Sequence, residues 1–152
     1  MILNTRDIAE AITDEIRKQV WEKKTQPSLT IVMVGNNSAS EVYVKNKIKT
    51  CESVGIKWIL LELSEEISEQ ELLKTIHELN NDAGVDGILV QSPLPVHIDA
   101  QKIFDAIHPD KDVDGFSATN IAKLYSGDES GLIPGTPKGI IEIIKKHRPI
   151  EG

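Results

Sequence analysis

The sequence has 152 residues, 39% hydrophobic and 27% charged, with a formal net charge of -7. That length is enough for one domain to bury a core without disulfide or metal staples, and the acidic balance excludes a duplex nucleic-acid binder, since Lys45, Lys47, Lys49 and Lys57 are the nearest approach to a basic cluster and suit a small polyanion at most. Cys51 has no second cysteine to pair with, no apolar run reaches the length of a membrane span or signal-peptide core, and His77, His97, His108 and His147 lack ligand-like spacing, so the expectation is a cytoplasmic protein with no metal, no membrane and no nucleic-acid partner.

Ile8, Ile12, Ile16 and Val20 recur every fourth residue between Asp7 and Lys24 and predict an amphipathic helix packing on a core. Pro27 breaks the pattern. Leu29 to Val34 is a short apolar run expected of a strand covered on both faces, and Gly35-Asn36-Asn37-Ser38 is a turn cluster. A second helix is predicted from Ala39 to Val54, with Gly55 placed to end it at positive φ. Trp58 to Leu63 reads as a strand, and Ser68 with Glu71 forms the capping box of a helix that buries Leu72, Ile76 and Leu79. Asp86 to Gln91 is the third strand, followed by the stiff connection Ser92-Pro93-Leu94-Pro95 and a helix from about Ala100 to Ile107.

Strands alternating with helices at this spacing predict an α/β fold, a three-layer α-β-α domain with a mainly parallel sheet. Ligands of such sheets sit beyond the carboxyl ends of the strands, which singles out the loops after Val34 and Val90. The last third is less regular. It holds the charged loop His108 to Phe116, a short helix capped by Thr119 and running through Leu124, and a final helix. In that helix Thr136 is read as the cap, Pro137 as the first helical residue, and Ile140, Ile141 and Ile144 as the apolar face. No internal repeat or linker is visible.

Tyr43 and Lys47 lie four apart on the predicted second helix, so both project from one face near the loop after the first strand. Such a pair is either a solvated lysine beside a half-buried tyrosine or a lysine removed from bulk water, which can act as acid or base. Gln91 ends the third strand, where its amide either faces water or holds a lysine or a polar substrate atom. Asp114 is one of several loop aspartates; its carboxylate is either solvated or free to accept two parallel hydrogen bonds from a flat guanidine-like edge. The alternation of Asp110, Asp112 and Asp114 lacks the glycine and distal glutamate of an EF-hand loop, and calcium is rejected.

Four segments together resemble the bifunctional methylenetetrahydrofolate dehydrogenase/methenyltetrahydrofolate cyclohydrolase family. They are Val34 to Lys49 with Gly55-Ile56, Asp86 to Pro95, Pro109 to Phe116, and Pro134 to Gly139, in the family's order and covering essentially the whole chain. The resemblance implies Lys47 as the catalytic lysine, Tyr43 lining the pterin pocket and positioning the reacting centre, and Gln91 holding and tuning Lys47. It also implies Asp114 gripping the pterin's amino edge, Pro93, Leu94 and Pro95 forming a wall of the folate site, and Ser40 shaping the Tyr43 loop.

The implied reactions are NADP-dependent oxidation of 5,10-methylenetetrahydrofolate to 5,10-methenyltetrahydrofolate and hydrolysis of the latter to 10-formyltetrahydrofolate. Tetrahydrofolate derivatives would be the partners. Ser92 stands where leucine is usual in the family and Gly135 where cysteine is usual. The family's NADP-binding Rossmann domain has no counterpart here, because no G-x-G-x-x-G run occurs. Residues 1–152 are thus expected to be the folate-binding catalytic domain of a two-domain architecture, binding no NADP themselves. Full-length members would be homodimers, and a chain of this length could be monomeric. The alternative is a catalytically silent folate-binding or interaction module.

Overall fold

The structure is a computed structural model and describes residues 5–24 and 26–147. Its elements are α1 (Thr5–Lys23), β1 (Ser28–Val34), α2 (Ser38–Val54), β2 (Lys57–Leu63), α3 (Glu69–Asn81), β3 (Gly87–Val90), α4 (Ala100–Ala106), α5 (Ala118–Ser126) and α6 (Gly135–His147). The three strands form one parallel sheet in the order β2-β1-β3, with Leu29 opposite both Trp58 and Gly87.

Residues of β1 alternate between two cores, as strand geometry requires. Val32 and Val34 join Ile88 and Val90 of β3 against Leu72 and Ile76 of α3 and Ile103 of α4, whereas Ile31, Met33 and Leu89 pack with Val44 of α2. Helices thus cover both faces, and the expected three-layer arrangement is present. The chain leaves β1 toward one face and β3 toward the other. This follows from right-handed crossovers that run from the central strand first to one neighbour and then across to the other.

The Ser68 capping box on α3 forms as expected, and Gly55 ends α2 with φ +82. Three expectations need correction. In α1 only Ile8 is buried, while Ile12 and Ile16 of the same stripe stay exposed. The short helix is capped by buried Ser117, whose Oγ accepts from Asn120 N; Thr119 lies inside α5. The final helix opens at Gly135, so Thr136 and Pro137 occupy its first turn. Lys138 N donates to Pro134 O, and Pro137 is tolerated there because first-turn N–H groups have no intrahelical acceptor.

After α4 the chain returns alongside β3. Ile88 N donates to Lys111 O at 2.7 Å, and Ile88 forms an isolated parallel bridge with Asp112. Lys111 Nζ donates to the carbonyls of Leu79, Asn80 and Asp82 at 3.1, 2.8 and 2.8 Å, closing the C-terminal turn of α3. One side chain therefore pins the loop that carries Asp114 to the helix beneath it.

Ile76 has no exposed surface in the larger core, so Ile76→Ala is expected to lower stability by about 2–5 kcal/mol, and Ser68→Ala at the exposed cap by about 1 kcal/mol. Urea denaturation of the two variants measures both losses, and equal values would contradict the assignment of the core.

Candidate active site

The crevice between β1 and β3 is the switch point of the sheet, where neighbouring strands send their chains to opposite faces. Two side-chain contacts span it from α2 to the segment after β3. Lys47 Nζ donates to Gln91 Oε1 at 3.2 Å, and Ser40 Oγ donates to Ser92 O at 3.3 Å. Gln91 Nε2 also donates to Ser92 O, at 2.7 Å. That second bond orients the amide, leaving Oε1 to face the lysine. Gln91 N is fixed in turn to Val32 O at 2.9 Å, which ties the amide's backbone to the central strand.

Lys47, Tyr43 and Asp114 line one depression of about 400 Å³, together with Asn46, Thr50, Cys51, Leu29, Leu89 and Val113. Tyr43 lies open at its rim, 64% exposed, and Lys47 is half-buried. Five α2 residues here, 43, 46, 47, 50 and 51, follow the helical repeat. Asn46, Thr50 and Cys51 were not singled out from the sequence, although that same spacing from Tyr43 and Lys47 marks them.

The three alternating aspartates separate by environment. Asp110 is exposed beside His108. Asp112 is buried and accepts from Phe116 N at 3.3 Å, Ser117 N at 2.9 Å and Asn120 Nδ2 at 3.0 Å. Asp114 is half-buried in the depression, and no described residue donates a hydrogen bond to it. Burial pushes its carboxyl above the ordinary value; the charge of Lys47 pulls the other way, and that of Asp112 adds to the rise. Such a carboxylate keeps acceptor capacity that no described residue uses.

Pro93, Leu94 and Pro95 do not line this depression. They border a second one of about 930 Å³, with Val34 to Asn37, Ser64 to Glu66, Val96 and His97. Gln91, Ser92 and buried Ser40 line neither hollow, and Ser92 O accepts from the side chains of the other two. The residues singled out from the sequence thus fall in two hollows and in the hydrogen-bonded cluster of Ser40, Gln91 and Ser92. Among the described residues no group of three or more His, Cys, Asp or Glu side chains could hold a metal, and no helix is long and apolar enough to cross a membrane.

The model of the tetrahydrofolate dehydrogenase/cyclohydrolase catalytic domain matches residues 3–114. The bifunctional protein FolD of Aquifex aeolicus is 46% identical over 99% of this chain and 53% of its own length. That of Listeria innocua is 49% identical over 92% of this chain and 49% of its own. In structure, the bifunctional enzyme FolD, methylenetetrahydrofolate dehydrogenase/cyclohydrolase, from Campylobacter jejuni matches with TM-score 0.92 and 40% identity, over 97% of this chain and 53% of that one. A Trypanosoma brucei N5,N10-methylenetetrahydrofolate dehydrogenase-cyclohydrolase, solved with NADP cofactor and inhibitor, matches with TM-score 0.89 and 26% identity over 97% and 52%. The chain spans about half the length of the curated relatives it matches.

Because the folded protein holds the Asp114 proton more tightly than the unfolded chain, stability falls as pH rises through the raised value, and ionised Asp114 opposes folding at pH 7. Asp114→Asn is therefore expected to be more stable than the parent at pH 7, with the gain fading as the pH falls through the raised value and gone below the ordinary carboxylate value of about 4. Denaturant titrations at the two pH values check the sign; a less stable variant at pH 7 would contradict it.

Proposed function

Because the chain belongs to the tetrahydrofolate dehydrogenase/cyclohydrolase family, we propose that residues 1–152 are the folate-binding catalytic unit of a protein that interconverts one-carbon units on tetrahydrofolate. That protein oxidises 5,10-methylenetetrahydrofolate to the methenyl form with NADP and hydrolyses the product to 10-formyltetrahydrofolate, as a cytoplasmic homodimer. The observation that carries the proposal is the Lys47–Gln91 hydrogen bond at the end of β3, with Lys47 sharing a depression with Asp114, a half-buried carboxylate to which no described residue donates.

The described residues do not fit NADP. In the turn from β1 to α2, where a doubly wound sheet cradles a pyrophosphate, Gly35 is the only glycine, and a Cβ built on it would lie 3.3 Å from the Cβ of Glu65. Glu65 and Glu66 border the same hollow and would repel phosphate. The cofactor is assigned to a second domain, and the roles given below concern the folate and its hydrolysis alone.

Asp114 accepts two parallel hydrogen bonds from the aminopyrimidinone edge of the pterin, gaining the donors that the protein withholds. Tyr43 covers a ring face, and Pro93, Leu94 and Pro95 wall the second hollow, with Ser40 steadying the segment after β3. Gln91 holds Lys47, acting as a neutral amine, toward the reacting carbon. In hydrolysis, water's oxygen bonds to the methenyl carbon while Lys47 takes one proton; Lys47 returns that proton to N5 as the carbon–N5 bond breaks. Water's other proton leaves to solvent, so the cationic substrate and water give neutral 10-formyltetrahydrofolate and one proton.

Lys47→Ala is expected to slow hydrolysis of 5,10-methenyltetrahydrofolate by about 10²–10⁴-fold while binding persists, followed by loss of the methenyl absorbance and by equilibrium titration. Undiminished turnover would eliminate the lysine. A parent protein that binds the compound and leaves its chromophore intact would instead be a silent folate-binding module.

A further inference from the structure

The carboxylate assigned to the pterin stands on a loop, and loops seldom hold a side chain in place unless something buried fixes their backbone. Here the fixing group is Asn120, at the start of α5 and 1% exposed. Its Nδ2 donates to Pro109 O at 3.0 Å and to Asp112 Oδ2 at 3.0 Å, and its Oδ1 accepts from Leu132 N at 3.1 Å. Both amide hydrogens and the carbonyl are used, so this one side chain joins the beginning of the loop, the middle of the loop and the segment before α6. Asp112, also 1% exposed, takes the further N–H groups of Phe116 and Ser117.

Asp114 lies between that anchor and Gly115. Gly115 has φ +66, and a Cβ there would meet Leu132 O at 2.5 Å, so the backbone just beyond Asp114 is closed against the same segment that Asn120 holds. Its own side chain is left unbonded. The loop is therefore rigid on both sides of a side chain that is free to meet a ligand.

We propose that Asp112, held by Asn120, is a positioning residue for the substrate: it fixes where the Asp114 carboxylate stands and acts on it through its own negative charge. This rests on the assignment of Asp114 to the pterin edge. Lys47, from α2, and Asp112, from the same loop, are the charged groups that act on Asp114; Tyr43 and Cys51 complete the titratable groups of the depression. Asp112 opposes ionisation of Asp114, so removing its charge lets Asp114 ionise at lower pH.

The test measures binding of tetrahydrofolate, which carries the pterin edge and has no one-carbon unit to lose, from pH 4 to 8 for the parent, Asp112→Asn, Asn120→Ala and Asp114→Ala. Asp112→Asn should bind on the order of tenfold more weakly at pH 7, since an amide offers one accepting oxygen where Asp112 uses two, and the acid limb of its binding curve should move to lower pH. Asn120→Ala loosens the loop but keeps the charge, so it should weaken binding with the acid limb unmoved. The ligand's own titration is common to all four proteins and cancels in the comparison.

An acid limb that stays in place or moves upward in Asp112→Asn overturns the proposal. If that variant does not fold, unaltered affinity in Asn120→Ala overturns it, and weakened affinity with an unmoved acid limb upholds the positioning. Undiminished binding by Asp114→Ala refutes the underlying pterin assignment instead, which separates the two failures.

Discussion

The site depends on one constraint of the sheet: β1 and β3 are parallel neighbours whose chains leave on opposite faces. The divergence opens a crevice at their carboxyl ends without any side chain having to be carved away. It also brings α2, which follows β1, to within hydrogen-bond reach of the peptide after β3. The Lys47 and Ser40 contacts join residues 44 and 52 apart in sequence, and both follow from that single adjacency.

The two charged groups of the depression are held differently. Lys47 meets a neutral amide oxygen at 3.2 Å. The amide is itself oriented by Ser92 O, so the acceptor presented to the lysine is set by backbone and not by chance rotation. Asp114 represents the opposite choice. A carboxylate is kept partly out of water with no described donor, at some expense of folding free energy.

Much of this was legible in the sequence because the signals are local. The β-branched run of β1, the capping box at Ser68 and the glycine after α2 each specify a backbone state within a few residues. Tyr43 and Lys47 could be paired by helical spacing. The distinction between Asp112 and Asp114 could not, because alternating aspartates look alike until Asn120 and Ser117 close on one of them. The cap of α5 failed for the same reason: Ser117 and Thr119 are both competent, and the choice is made by burial of Ser117 in the loop network. Resemblance to a family placed Pro93 to Pro95 at the site, while only coordinates show that they border a second hollow.

Among the described residues, β2 pairs with β1 alone, and its far side carries no further strand. The sheet is therefore lopsided, with the Lys47–Gln91 bond beside β3 and the outer edge of β2 without a strand partner among the described residues. Insertions, altered charge or an added strand along that flank would leave the Lys47–Gln91 pair and the Asp114 loop in register, so descendants of this fold have a border on which to vary while the working side stays fixed.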